Sequence, residues 1–263
     1  MQTIYSGEHS VIFGDKHSWE DWGLVPASLP IIAMPEVNEN IIEVPGMNGV
    51  VDLSDVPLGF PTYKLREGSL EFKIAHDTSE RTWSETYSMI ASYLHGRRRT
   101  CILTDDRSYY YTGRFKISEL KSDKMCNTIT IDYVLDPFKE MIWTTCGDWE
   151  WDPFDFIYGE ITQGDFKNIP VSASSTNLIR WDQNQIGAKP VVPTITVNSA
   201  GGNGMEFRYA NSIQGNTFKS FQLSDGENYN PQIEFACPDP DNFTAISIIG
   251  SGTISIDFRP GRL

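Results

Sequence analysis

Ser69-Leu70-Glu71-Phe72-Lys73-Ile74 and Thr128-Ile129-Thr130-Ile131-Asp132-Tyr133 are the stretches on which the fold turns. In each, apolar and polar side chains alternate with a period of two. An extended strand then carries all its apolar residues on one face and leaves the other polar. Wound as a helix, the same residues would be scattered around the axis. Working outward, most of the chain repeats this grammar: Thr100-Cys101-Ile102-Leu103, Tyr109 to Phe115, Pro190 to Val197, Met205 to Tyr209 and Gly252 to Phe258 are short apolar-rich runs bounded by turn residues. The chain reads as mainly β, with half-buried antiparallel strands.

One segment breaks the pattern. Between Ser79 and Leu94 the apolar residues Trp83, Tyr87, Ile90 and Leu94 recur at helical spacing. Thr82 and Glu85 stand in capping-box relation, and Gly96 suits the position just past a helix C-terminus. A single helix packed on a sheet is predicted. The Arg97-Arg98-Arg99 run that follows reads as a solvated turn beside the negative helix end rather than as a DNA contact.

At roughly 150 residues per domain, 263 residues predict about two domains. The first closes at Tyr133 and the Asp136-Pro137 break, which puts it at residues 1–140 and the second at 141–263. Residues 141–165, with Trp149, Trp151 and Phe154 among Asp148, Glu150, Asp152 and Asp155, read as a docked linker. Beyond it only strand and turn signals appear, with Gly201-Gly202-Asn203-Gly204 read as a hairpin turn. That pattern indicates an antiparallel sandwich.

The charge balance excludes several function classes. Formal net charge is -14, and each half carries minus seven: 14 basic against 21 acidic residues up to Glu140, and 7 against 14 after it. Sequence-independent nucleic-acid binding needs clustered cations and is disfavoured. Aromatic residues at 12% and charged residues at 21% fit an ordered globular chain rather than a disordered one. No run of 18 apolar residues exists, so no membrane partner is expected. The opening MQTIYSGEHSVIFG lacks the pattern of a signal peptide, so a cytoplasmic origin is expected.

The search for chemistry finds little. Cys101, Cys126, Cys146 and Cys237 lie far apart without CxxC spacing and read as reduced thiols. His9, His17, His76 and His95 fall in no metal-ligand spacing, and no GxSxG elbow or phosphate loop is present. The linker acids are the nearest approach to a carboxylate pair for glycoside hydrolysis, but in so acidic a chain they read better as solvation of a linker. Asp239 and Asp241 in PDPDN read as a turn before a calcium site. No catalytic residue, cofactor or metal is expected.

The most distinctive local feature is Glu43-Val44-Pro45-Gly46-Met47-Asn48-Gly49-Val50-Val51-Asp52-Leu53. Pro45 fixes one dihedral, while Gly46 and Gly49 permit positive φ, so the chain can turn sharply between two strands. A surface hairpin accounts for that alone. The surrounding connection, however, carries Ile31, Ile32, Ile41, Ile42, Val50, Val51, Leu53, Val56, Leu58 and Phe60, more apolar surface than a solvated loop usually shows. An arm pairing with a neighbouring subunit would bury it. Val44, Pro45, Gly46, Asn48, Gly49, Asp52 and Leu53 are the candidate oligomer-interface residues.

Taken in order, several elements resemble the siphophage distal tail proteins, the Dit or phage tail family of phages and prophages of Gram-positive bacteria. They are Asp21-Trp22-Gly23-Leu24, then Val44-Pro45-Gly46 with Asn48-Gly49 and Asp52-Leu53, then Tyr63 with Arg66. Tyr93-Leu94-His95-Gly96-Arg97 follows, then Tyr109-Tyr110-Tyr111 before Gly113-Arg114, and Tyr133 before Asp136-Pro137-Phe138-Lys139. The family often has Asn-Arg where this chain has Leu65-Arg66, and Tyr in place of Phe138. The resemblance implies a tail-tube-like N-terminal β-sandwich with one α-helix and a β-hairpin arm, followed by a galectin-like or carbohydrate-module-like C-terminal β-sandwich.

The resemblance further implies a hexameric ring at the tail tip of a virion assembled in a bacterial host cytoplasm. Such a ring joins the tail tube protein to the tail-associated lysin or receptor-binding protein. DNA passes its lumen without specific binding, and an acidic lining would keep it from sticking. Two competing readings are a carbohydrate- or receptor-binding module, with Trp181, Tyr209 or Tyr229 stacking on a glycan, and a cell-wall hydrolase. The first is the stronger rival, because the hydrolase lacks a spaced catalytic set.

Overall fold

A computed structural model describes residues 8–74, 82–122, 127–147, 166–174, 177–213, 215 and 217–263. The chain is mainly β, with several antiparallel sheets. It packs as two compact units, one of residues 1–38 with 63–139, the other of residues 39–62 with 140–263.

In the first unit, β1 (Val11–Phe13), β2 (Lys16–His17) and β3 (Leu24–Pro26) precede the arm, whose strands β4 (Ile41–Ile42) and β5 (Val51–Asp52) group with the second unit. After the arm come β6 (Arg66–Ile74), α1 (Trp83–Leu94), β7 (Arg98–Leu103), β8 (Tyr109–Ser122) and β9 (Asn127–Leu135). The sheet runs β2-β1-β7-β8-β9-β6-β3. Its centre is the pair of alternating stretches: Leu70 lies opposite Ile131 and Phe72 opposite Ile129. All four side chains are buried, while Glu71 and Lys73 on either side of Phe72 are exposed. A one-residue slip would turn this whole set to the solvent face, so burial fixes the register.

The helix covers that apolar face. The Thr82 hydroxyl accepts from the Glu85 N–H, and the Glu85 carboxylate accepts from the Thr82 N–H at 2.9 Å, closing the expected capping box. Ile90 and Leu94 are fully buried, whereas Trp83 in the first turn remains 38% exposed. Tyr93 ties the helix to the β1–β2 turn by donating to the Phe13 carbonyl and to the Asp15 carboxylate. Its ring stacks under the Arg99 guanidinium.

The arginine run corrects the expectation of a solvated turn. Arg98 and Arg99 belong to β7 and pair with Arg114 and Gly113 of β8. The ladder continues two residues further toward the helix than apolar patterning indicates, because Arg98 finds a carboxylate in Asp136 and Arg99 finds the Tyr93 ring.

The second unit holds β10 (Lys139–Met141, of which Glu140 and Met141 lie here), β11 (Ile169–Val171), β12 (Leu178–Trp181), α2 (Gln183–Ile186), β13 (Thr194–Ser199), β14 (Met205–Asn211) and β15 (Lys219–Leu223). These are followed by β16 (Gly226–Tyr229), β17 (Thr244–Ile249), β18 (Gly252–Asp257) and β19 (Gly261–Arg262). Eight strands form two four-stranded sheets, ordered β11-β18-β13-β16 and β12-β17-β14-β15. Among the described residues, only β14 and β15 are consecutive strands of one sheet; the others alternate between sheets. That is the double Greek key of a jelly roll.

Two local expectations are corrected here. Gly201-Gly202-Asn203-Gly204 does not close a hairpin but carries the chain from one sheet to the other, since β13 and β14 lie in different sheets. The region is also not strand and turn alone: α2 makes one helical turn, capped by Asp182 with Gln185 reaching back to it. Between the sheets, Phe166, Trp181, Tyr209, Phe235 and Phe258 form an aromatic core, with Phe166 and Trp181 centroids 4.5 Å apart. Burying each such side chain stabilises the fold by about 1.5–3 kcal/mol. Of the expected docked linker, residues 148–165 lie outside the described residues.

Candidate functional site

The arm departs from and returns to a base built on a buried cation. Lys64 donates its N–H to the Glu36 carbonyl, Lys64 and Glu36 form an ion pair at 3.0 Å, and Val37 bridges to Tyr63. Just inside, Arg66 is 1% exposed. Its Nε donates to the Pro137 carbonyl at 2.8 Å and its Nη1 to the Ala33 carbonyl at 2.9 Å, and its guanidinium lies 5.4 Å from the Tyr111 ring centroid. Ala33 also donates its N–H to the Tyr133 hydroxyl at 2.9 Å. Burial lowers the guanidinium pKa, but a guanidinium starts so far above neutrality that it stays charged. Removing it would orphan two carbonyls and empty the site.

Beyond the base, Ile41 and Ile42 pair with Asp52 and Val51. The Asp52 carboxylate accepts from both the N–H and the hydroxyl of Ser54, which hold its pKa below the ordinary value. Leu53 donates to the Asn40 carbonyl, and Asn40 to the Ser54 hydroxyl. At the tip, Gly46 and Gly49 have φ of +85° and +90°, so the glycines are needed for the shape.

The sequence-derived interface residues therefore lie together on one ribbon. Val44, Pro45, Gly46, Asn48, Gly49 and Asp52 are exposed, and Leu53 is half-buried. The apolar surface of the connection stays largely open: Ile31 is 66% exposed, Ile41 47%, Val50 49% and Val56 71%, whereas Ile32 turns into the core. Arg66, the residue that anchors the base, stood out only through the family resemblance; its burial carried no local signal, because a lone arginine at the head of an alternating strand normally points to water.

Among the described residues the remaining side chains offer little for catalysis. Cys101 is fully buried with its thiol pushed up to about 12, and Cys237 is raised to about 11 by burial, so neither supplies a thiolate. Cys126 and His76 lie outside the described residues, as do the linker acids. His9 contacts both oxygens of Asp105 at 2.9 Å, a His–carboxylate pair that sequence spacing did not reveal. Among the described residues no hydroxyl or thiol bonds to that imidazole. A cleft of about 280 Å³ between residues 28–31 and 69–72 has Glu71 as its sole ionisable side chain, which is one carboxylate short of an acid–base pair. No group of three or more His, Cys, Asp or Glu among the described residues could hold a metal ion.

The three aromatics read as sugar-stacking candidates divide. Trp181 and Tyr209 are 2% and 1% exposed and belong to the core, which corrects the stacking role offered for them; Tyr229 is 64% exposed on β16. Asp239 forms a turn as expected, its carboxylate accepting from the Asp241 N–H at 2.7 Å. No described helix is long and apolar enough to cross a membrane.

No protein-family profile matches the sequence, and no curated protein matches it. A solved structure does match. Over 97% of this chain and 99% of the other, with a TM-score of 0.57 and 13% identity, the chain has the fold of SPP1 Dit (gp 19.1), a hub of the adsorption apparatus in phages that infect Gram-positive bacteria.

Proposed function

We propose that this chain is a structural component of a phage or prophage tail tip, forming a hexameric ring that joins the tail tube to the tail-associated lysin or receptor-binding apparatus, and is not an enzyme. The observation that carries this reading is the end-to-end likeness of both units to a phage hub protein. The exposed apolar arm supports it, because a ribbon of two-residue strands gains little stability by itself and gains burial from a neighbour. A ring also pairs each sheet edge with the next subunit and so removes the hazard of open edges.

In this reading Val44, Pro45, Gly46, Asn48, Gly49, Asp52 and Leu53 lie at the subunit interface, and DNA passes the lumen unbound, repelled by an acidic protein of net charge -14. Native mass measurement at rising concentration, with and without a tail tube protein, tests it. Six copies of the 29.7 kDa chain, about 178 kDa, are expected. Monomer under every condition would overturn the ring.

A further inference from the structure

Asparagine is a chemically labile residue, and glycine after it makes it more so, because a glycine nitrogen has no neighbouring Cβ to hinder its approach to the asparagine side chain. The chain holds two such pairs, Asn48-Gly49 and Asn203-Gly204. Their surroundings are opposite. At the arm tip both Asn48 and Gly49 are exposed, and among the described residues neither the Asn48 carboxamide nor the Gly49 N–H forms a hydrogen bond. Gly49 has φ of +90°, and a Cβ added there has nothing within 4 Å, so the main chain can rotate without leaving a packed neighbour. Gly204 is held instead. Its N–H donates to the Ser199 hydroxyl at 3.0 Å, and a Cβ added there would lie 2.1 Å from the Leu223 carbonyl oxygen. The two Asn-Ser pairs are held as well: the Ser199 N–H donates to the Asp225 carboxylate and the Ser212 N–H to the Phe243 carbonyl.

We propose that Asn48 is a self-modifying site, converting in the unassembled chain to aspartate and isoaspartate. The Gly49 nitrogen gives its proton to hydroxide and attacks Asn48 Cγ. The Cγ–Nδ2 bond breaks, and the leaving nitrogen takes a proton from water and departs as ammonia, so that a cyclic imide joins the two residues. One water then opens the ring. Cleavage between Cγ and the Gly49 nitrogen gives aspartate, and cleavage between the main-chain carbonyl carbon and that nitrogen gives isoaspartate. Nothing is oxidised or reduced. Either product adds a negative charge at the arm tip, and isoaspartate also inserts a methylene into the main chain beside Gly49. The step needs only the free chain and does not depend on the ring reading.

The test follows the full chain in warm, mildly alkaline buffer, diluted until mass photometry shows monomer, with Asn48→Gln alongside. Digested samples are read by mass spectrometry, and isoaspartate is marked with an isoaspartyl methyltransferase. The peptide holding Asn48 is expected to gain the mass of an amide turned to an acid at least about fivefold faster than the peptide holding Asn203, the factor that one hydrogen bond on the attacking nitrogen withholds. In urea neither glycine is held, and the two rates should converge. Asn48→Gln, which would have to close a larger ring, should abolish the gain at the arm and leave that at Asn203 unchanged. Equal rates at the two sites in the folded chain, or a faster Asn203, would overturn the proposal. So would an Asn48 peptide that keeps its mass over a time in which the unfolded chain converts.

Discussion

Replacing Gly46 and Gly49 together with Val perturbs the arm without touching either core. Both residues sit at positive φ, +85° and +90°, and a Cβ added at either has nothing within 4 Å, so the cost is backbone strain rather than collision. Forcing an L residue into the left-handed region costs about 1–2 kcal/mol each, or about 2–4 kcal/mol together. Holding the ribbon against that are two cross-strand residue pairs, each worth about 0.2–1 kcal/mol. The strain exceeds the ladder, and the tip should abandon its turn.

Neither hydrophobic cluster contains an arm residue, so global stability should hold. The expected outcome is a thermal midpoint within about 2 °C of wild type, because a shift of that size corresponds to less than about 1 kcal/mol in a chain this long. Assembly, read by mass photometry, should be lost. A double variant that assembles like wild type would refute the role of the arm's shape. One that melts well below wild type would refute its independence from the cores.

Three other outcomes follow from the geometry. Gly113→Ala would place a Cβ 2.2 Å from the Val134 carbonyl oxygen and 2.5 Å from the Leu135 Cα, so urea denaturation should show a loss of about 1–3 kcal/mol. Cys101 and Cys237, with raised pKa values and no thiolate at neutral pH, should resist iodoacetamide in the native protein and react once it is unfolded, as peptide mass spectrometry would show. Asp15, Asp21, Asp52, Asp225 and Glu206 all have pKa values held below the ordinary 3.8 and 4.5, chiefly by hydrogen bonds. The stability they add is full above those ordinary values and is lost as pH falls through the lower folded ones. Urea midpoints should therefore be flat from about pH 7 to 5 and fall below about pH 4.

Much of this architecture was legible because burial writes itself into alternation. Leu70, Phe72, Ile129 and Ile131 announced the central strands, and Thr82 with Glu85 announced the helix start, since each signal is local and periodic. The same logic, applied more strictly, would have placed Tyr209 in the core, because Met205, Phe207 and Tyr209 alternate on one face. Asp182 and Gln185 likewise carried the capping signal of α2. What could not be read was non-local. The partner sheet of the strand after Gly204 depends on jelly-roll winding, and the extension of β7 to Arg98 depends on Asp136, 38 residues away. Arg66 is buried because Ala33 and Pro137 bring carbonyls to it, and neither residue type signals that from sequence.

The arm's exposed apolar ribbon was legible in composition, but the cross-strand pairing of Arg98 with Arg114 was not. The proposed role of the arm rests on assembly, so assembly is the point to measure. Electron micrographs of the purified full chain, averaged in two dimensions, test it most directly. The account predicts rings with six-fold symmetry and an open centre. Particles with no rotational symmetry at concentrations where the chain is otherwise folded would contradict it.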